Sequence, residues 1–242
     1  MDKALNENHR TLIIMYSNQL SAKAFGVFLI LSFVSYGLGS GLVNSVIQVS
    51  DGPINIQPYK TKIIFGMILI TIVHTILNIG LISTMFSIIK LIKPPLAYGY
   101  LIASITATLL LAMGAIFLWL LLPLSDGFML QGKNQLPYFQ PISVLLQKIN
   151  FLSYQIGMAI WGFGGLMLCC VFYISQIVPR FFSIWGFFGY LIFIAGTVLE
   201  LYEYEIGVYL SIPGGLFEIS IALWLIFKGF DSLNNHENTV VY

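Results

Sequence analysis

The sequence predicts an all-α, polytopic membrane protein, a bundle of about six transmembrane helices with both termini cytosolic. Three observations carry that expectation. Of the 242 residues, 58% are hydrophobic and only 9% are charged, whereas a soluble domain is roughly a quarter charged. Several apolar runs exceed the ~18 residues that mark a membrane-spanning segment, and the length suits one domain of about six spans with short connections. Lys and Arg are distributed unevenly between the two sets of connections, which orients the bundle.

Taken in order, residues 1–23 are polar and mixed in charge, with a short apolar patch from Leu12 to Tyr16. They are expected as a cytosolic lead-in lying on the membrane surface. A cleavable signal peptide is not expected, because the apolar run that follows is too long and no small-x-small site follows it. The first span covers about 25–49, and within it Gly37, Ser40, Gly41 and Asn44 fall at i, i+3, i+4 and i+7. That spacing makes one small-residue face for close helix contact. SDGPINIQP forms the first loop.

The second span, about 63–89, is bracketed by Lys60 and Lys62 on one side and by Lys90 and Lys93 on the other. Thr71, His74, Thr75 and Asn78 line one stripe of it. Pro94-Pro95 forces a turn, since the residue before a proline is pushed out of helical geometry. The third span, about 96–122, carries Ser104 and Thr108 four residues apart.

Residues 126–148, punctuated by Gly127, Gly132, Pro137 and Pro141, read as the longest loop. A helix over 141–177 would be about 55 Å long, against a hydrocarbon core of about 30 Å. Residues 142–148 are therefore expected in the interface, with the fourth span over about 151–177. The fifth span covers about 181–200, YEYEIG turns the chain, the sixth covers about 208–229, and residues 231–242 form a cytosolic tail.

With the N-terminus inside, the inner side holds Lys3, Arg10, Lys23, Lys90, Lys93, Arg180 and Lys228, and the outer side Lys60, Lys62, Lys133 and Lys148. An even number of spans follows from cytosolic ends. Formal net charge is +1 and no basic tract occurs, so nucleic acid is not an expected partner. Cys169 and Cys170 are adjacent and mid-span, and read as small packing residues. No metal centre or cofactor is implied, since two cysteines cannot form a structural zinc site.

The stretch SIPGGLFEISIALWLIFKGF, residues 211–230, holds one carboxylate, Glu218, in an otherwise apolar span. Lys228 marks its inner end, which puts Glu218 about 15 Å outward. Lys62 marks the outer end of the second span, which puts His74 about 18 Å inward. Both depths fall near the midplane, where an ionisable group costs at least ~2.5–3.5 kcal/mol and turns to an interior partner. His74, Asn78, Ser104 and Thr108 are the available partners. Three readings of Glu218 stand side by side: a polar pocket for a cation, a proton or a polar ligand head; a neutral acid hydrogen-bonded to fix helix register; or a first-turn cap, if the helix begins after Gly215.

Familiar catalytic signatures are missing: no His-x-x-x-His, no Gly-x-Ser-x-Gly and no phosphate-binding glycine loop with its lysine. His9 and His236 lie in the tails, so bis-histidine haem ligation within the bundle is unavailable. Glu200, Glu203 and Tyr204 share an outer surface face and read as solvated. Tyr36-Gly37-Leu38-Gly39-Ser40 weakly echoes Trp161-Gly162-Phe163-Gly164-Gly165, the pattern an inverted repeat would leave. Gly37, Gly41, Gly162 and Gly165 are the candidate helix-packing positions.

Two late segments resemble a known family. Ile177-Val-Pro-Arg-Phe-Phe-Ser-Ile-Trp-Gly-Phe-Phe-Gly189 is similar to an "IPR-hydrophobic-x-S-x-WG" segment, and Pro213-Gly-Gly-Leu-Phe-Glu218 through Trp224-Leu-Ile-Phe-Lys-Gly-Phe230 to a "P-x-x-x-x-E … WL-x-x-KGF" ending. Both belong to the bacterial multi-pass proteins called domain of unknown function 4386. Leu77-Asn78 through Lys90 is similar to that family's second helix. The resemblance implies a bundle in the bacterial inner, cytoplasmic membrane with no assigned activity. One departure stands out: relatives carry an arginine and a glutamate in the third span after a Gly-Tyr resembling Gly99-Tyr100, whereas residues 101–107 here read LIASITA. A role that depends on such an ion pair does not carry over.

The expected function is non-enzymatic, binding or passage of a small amphiphile, ion or proton at an interior site near Glu218, with the lipid bilayer as the surrounding partner. The competing expectations are a membrane-embedded enzyme acting on a lipid or quinone with Glu218 as base, and a ligand-free accessory or scaffold subunit.

Overall fold

An apolar run that meets no water can satisfy its N–H and C=O groups only within itself, as a helix. The protein, described here by a computed structural model over residues 2–49, 56–131 and 136–230, follows that rule: all secondary structure among these residues is helical. Helix α1 (Asp2–Val49) is followed by a short 3₁₀ turn (Gln57–Tyr59) and by α2 (Lys60–Ile68). A π-helical turn (Leu69–Val73) joins α2 to α3 (His74–Ile92) in one rod. Then come α4 (Pro94–Trp119), α5 (Leu121–Gln131), α6 (Leu136–Ser175), α7 (Arg180–Leu201) and α8 (Gly207–Phe227).

Six stretches among the described residues are long and apolar enough to cross a membrane: Gln19–Ile47, Gln57–Ile92, Pro94–Leu130, Leu136–Ser175, Arg180–Leu201 and Gly207–Phe227. Consecutive spans are also spatial neighbours. Helix α1 packs on α3 and α8, α3 on α4, α4 on α6, α6 on α7 and α7 on α8, which closes a ring. On α4, Tyr98, Ile102, Ile105, Leu109, Met113 and Ile116 form an exposed apolar stripe at helical spacing. Ala97, Tyr100, Ser104, Ala107, Thr108 and Leu111 on the other face are buried. A bundle with apolar residues outward and its polar ones inward is covered by lipid.

Several expectations change on contact with the structure. The lead-in at 1–23 is no separate surface helix, because α1 runs unbroken from Asp2 into the first span. The long loop expected at 126–148 is largely helix: α5 extends to Gln131 and α6 starts at Leu136, with Pro141 inside it. Pro137 sits in the first turn, where its missing N–H has no intrahelical partner to lose, whereas Pro141 leaves the Pro137 carbonyl without its usual donor. At 40 residues α6 is about 60 Å long, so roughly half projects beyond a hydrocarbon core of about 30 Å. Residues 50–55, 132–135 and the tail 231–242 lie outside the described residues, and with them parts of the expected loops.

Close approach falls on different glycines than helical spacing suggested for α1. A Cβ on Gly37 or Gly41 would meet nothing within 4 Å, whereas one on Gly39 would lie 2.7 Å from the Gly66 carbonyl oxygen. Spacing names a face of a helix without saying which face turns inward, and here Gly39 is the α1–α2 contact. Gly162 and Gly165 on α6 do pack closely: a Cβ there would come 2.7 Å from Ile194 and 2.3 Å from the Tyr190 ring.

The ends are fastened by polar contacts. Gln19 Nε2 donates to the Phe230 carbonyl at 2.5 Å, and the Phe230 N–H returns a bond to Gln19 Oε1 at 3.1 Å, tying α1 to the end of α8. Gly229, at φ +75°, makes the left-handed turn that closes α8. Glu200 is more than a solvated acid, since its Oε1 accepts the Gly207 N–H at 2.8 Å and caps the start of α8.

The apolar core is in two parts. One cluster gathers Phe25, Leu81, Met85, Phe172, Phe217 and Leu225, and the other gathers Val43, Ile63, Met67, Ala115 and Leu121. Along α1, α3 and α4 the residues between these clusters include the polar Ser32, Tyr36, His74, Asn78 and Thr108. The polar groups occupy the gap.

Candidate ligand site in the bundle interior

Glu218 lies in the body of α8, which starts at Gly207 and continues through Pro213. The first-turn cap reading is thereby removed, because Glu218 is eleven residues past the helix start and its own turn is fully hydrogen-bonded. The side chain is 7% exposed. Its Oε1 accepts two hydrogen bonds, from the Tyr190 hydroxyl at 2.6 Å and from Trp161 Nε1 at 2.8 Å. Oε2 has no hydrogen-bond partner among the described residues, and no Lys or Arg pairs with the acid; the ion pairs Lys60–Asp126 and Lys148–Glu203 sit at the ends of helices.

Across the interior, the π turn sets a second polar group. Its carbonyl at Leu69 accepts both the His74 N–H and the Ser35 hydroxyl, the latter at 2.7 Å, so α1 holds the widened turn open. His74 follows directly. Its Nδ1 lies 3.2 Å from the Ser32 carbonyl, which can only accept, so the proton is on Nδ1. Nε2 is then the acceptor for Asn78 Nδ2 at 3.0 Å. The same amide nitrogen donates to Thr108 Oγ1 at 3.3 Å, and Thr108 donates to the Ser104 carbonyl at 2.8 Å. Asn78 Oδ1 is buried without a partner.

These two constellations face one cavity of about 170 Å³, lined by His74, Asn78, Thr108 and Glu218 among apolar and aromatic side chains. Four of the five expected residues therefore share a wall. Ser104 does not: it borders a neighbouring pocket of about 20 Å³, with Glu218, Tyr100 and Tyr190. That is room for about one water. Gly37 also lines the larger cavity, which accounts for the open space at its Cα. A third space of about 330 Å³, bordered by Ser40, Asn44, Asn150 and Gln155, shares Tyr36 and Tyr154 with the first. Those two rings stack at 5.8 Å between centroids and 27° between planes, standing between the polar space and the Glu218 cavity.

Sequence reasoning missed the residues that hold Glu218. Trp161, Tyr190, Tyr36 and Tyr154 are aromatic, and aromatics abound in apolar spans. The depth argument would have found two of them. Tyr190 is ten residues from Arg180, about 15 Å, which matches Glu218 below Lys228. A Trp or Tyr far from the interface needs a partner for its N–H or O–H. Tyr36 and Trp161, the leading aromatics of the two echoing pentamers, both stand on the cavity wall.

Among the described residues no three His, Cys, Asp or Glu side chains gather as a metal set. Cys169 is buried in the apolar core and Cys170 is half-buried beside it. No curated protein and no solved structure matches the chain. Over residues 24–229 it matches the family described as Domain of unknown function (DUF4386), and the chain belongs to that family.

Proposed function

We propose that the protein binds, and lets pass, a small amphiphile or cation at the interior cavity bordered by Glu218, His74, Asn78 and Thr108. One observation carries the reading: the bundle's buried acid has no basic partner among the described residues and lies on the wall of a space large enough for a ligand. A register-fixing acid would be expected in solid packing, and a scaffold would have no use for the gap between the two halves of its core. An enzyme would need a second group free to take or give a proton. His74 is the candidate, and both of its nitrogens are occupied by Ser32 and Asn78.

The stacked Tyr36–Tyr154 pair supports entry from the end that carries Lys60, Lys62 and Lys148. By the excess of Lys and Arg at the opposite end, that entry is on the extracytoplasmic side. The test is thermal unfolding of the full chain in lipid nanodiscs against monovalent metal cations, small alcohols and small amines. At least one is expected to raise the Tm saturably. A panel that leaves the Tm unmoved overturns the reading.

A further inference from the structure

We infer that the cavity takes a small organic ammonium, an apolar body of about benzene size bearing one primary amine, with the charged head on Glu218. The inference rests on the reading of the cavity as a binding site and names the chemical class of its ligand. The hydrogen-bond inventory of the wall is lopsided. Trp161 Nε1 and the Tyr190 hydroxyl are both spent on Glu218 Oε1. The Asn78 amide nitrogen is spent on His74 and Thr108, the Thr108 hydroxyl on Ser104, and His74 Nδ1 on Ser32. What remains beside the acid is an acceptor, Glu218 Oε2, while the Tyr36 and Tyr154 hydroxyls elsewhere on the wall can donate or accept. An acid whose two neighbouring donors are already spent on one oxygen, with the other oxygen free, suits a ligand that donates.

Charge and shape point the same way. The lining contains one acid and no Lys or Arg, so a countercharge for its carboxylate would have to be brought by the ligand. A carboxylate ligand would meet like charge at Glu218, where both neighbouring donors are already spent. Tyr36, Tyr154 and Trp161 supply three aromatic rings to the same space, and aromatic rings attract cations. The rest of the wall is apolar, with Phe33, Leu111 and Met158. A dry cavity of about 150 Å³ accepts benzene, so about 170 Å³ admits a ring or a short alkyl chain with one amine.

The experiment is calorimetric titration of the full chain in neutral phosphatidylcholine nanodiscs with three near-isosteres, benzylammonium, benzyl alcohol and benzoate. In the wild type, benzylammonium is expected to bind at least about ten-fold more tightly than benzyl alcohol, with benzoate weakest. In Glu218→Gln the preference for the cation over the alcohol should vanish while the alcohol still binds. Should benzyl alcohol or benzoate match the amine in the wild type, the ligand class is overturned and the cavity reading stands. Retention of the amine preference by Glu218→Gln overturns the placement of the head on Glu218. If none of the three binds, the ligand class is overturned, and the cavity reading is decided by the Tm panel of metal cations, alcohols and amines. The wild-type series decides the class even if Glu218→Gln does not fold.

Discussion

Tyr190 reaches Glu218 only because Gly165 has no side chain. The Tyr190 ring lies where a Cβ on Gly165 would be, 2.3 Å from its nearest ring atoms, and from there its hydroxyl donates to Glu218 Oε1 at 2.6 Å. Three helices, α6, α7 and α8, are joined in that one contact, with Trp161 of α6 as the second donor to the same oxygen. Position and chemistry of the acid are thus set by packing between neighbours in the ring.

Gly165→Ala should therefore be destabilising, by about 1–3 kcal/mol, the usual cost of overpacking a core. Gly41→Ala is the control. A Cβ there meets nothing within 4 Å, and alanine gains up to about 1 kcal/mol over glycine inside a helix. Chemical or thermal unfolding in detergent micelles, followed by circular dichroism, should move the two variants in opposite directions. Equal stability of Gly165→Ala and wild type would mean that Tyr190 has room to move aside.

Tyr190→Phe keeps the ring over Gly165 and deletes the hydroxyl, so the fold should hold with a loss of about 1 kcal/mol. Its effect also reaches the site. The hydroxyl favours the charged carboxylate that an ammonium needs, so losing it should lower affinity for benzylammonium, by up to about ten-fold. Calorimetry on wild type and Tyr190→Phe in parallel checks this; unchanged affinity would show that Oε1 is adequately held by Trp161 alone.

His74 offers a spectroscopic prediction. With Nδ1 on the Ser32 carbonyl and Nε2 accepting from Asn78, the ring is expected as the neutral tautomer protonated on Nδ1. Nitrogen-15 shifts of labelled histidine in the membrane-embedded protein read this directly. Asn78→Leu leaves His74 Nε2 without its donor, and should cost about 1–3 kcal/mol in unfolding experiments.

How much of this was legible beforehand follows from what a sequence encodes in one dimension. Run length against bilayer thickness gave six spans, and rise per residue placed Glu218 and His74 near a common depth without any knowledge of which helices touch. Angular placement was out of reach. Gly37 and Gly41 make a tidy face by spacing, yet Gly39 is the residue against Gly66. Pro137 and Pro141 look like loop punctuation, but α6 begins at Leu136 and runs through both, Pro137 in its first turn and Pro141 inside it. Trp161 and Tyr190 were hidden among many aromatics because their polar tips carry no signal in an apolar count. The π turn before His74 has no composition cue at all, since LITIV would continue an α-helix equally well.

Topology is the remaining prediction, and the ends of the bundle argue for it. Lys90, Lys93, Arg180 and Lys228 lie at one end, where Lys90 stands over the Phe86 ring, Arg180 over Tyr173 and Lys228 over Trp224. Such cation–aromatic pairs suit a headgroup boundary, where the ring stays apolar and the charge stays wet. At the other end Lys148 also stands over the Phe151 ring, but here basic residues meet acids: Lys60 pairs with Asp126 at 3.8 Å and Lys148 with Glu203 at 3.5 Å. Acids count little in orientation, so the unbalanced basic end is expected in the cytosol. In a Cys169→Ala, Cys170→Ala background, Lys148→Cys should react with a membrane-impermeant maleimide on intact cells. Lys93→Cys should react only after permeabilisation. The reverse pattern would turn the bundle over, and with it the side from which the Tyr36–Tyr154 pair guards the cavity.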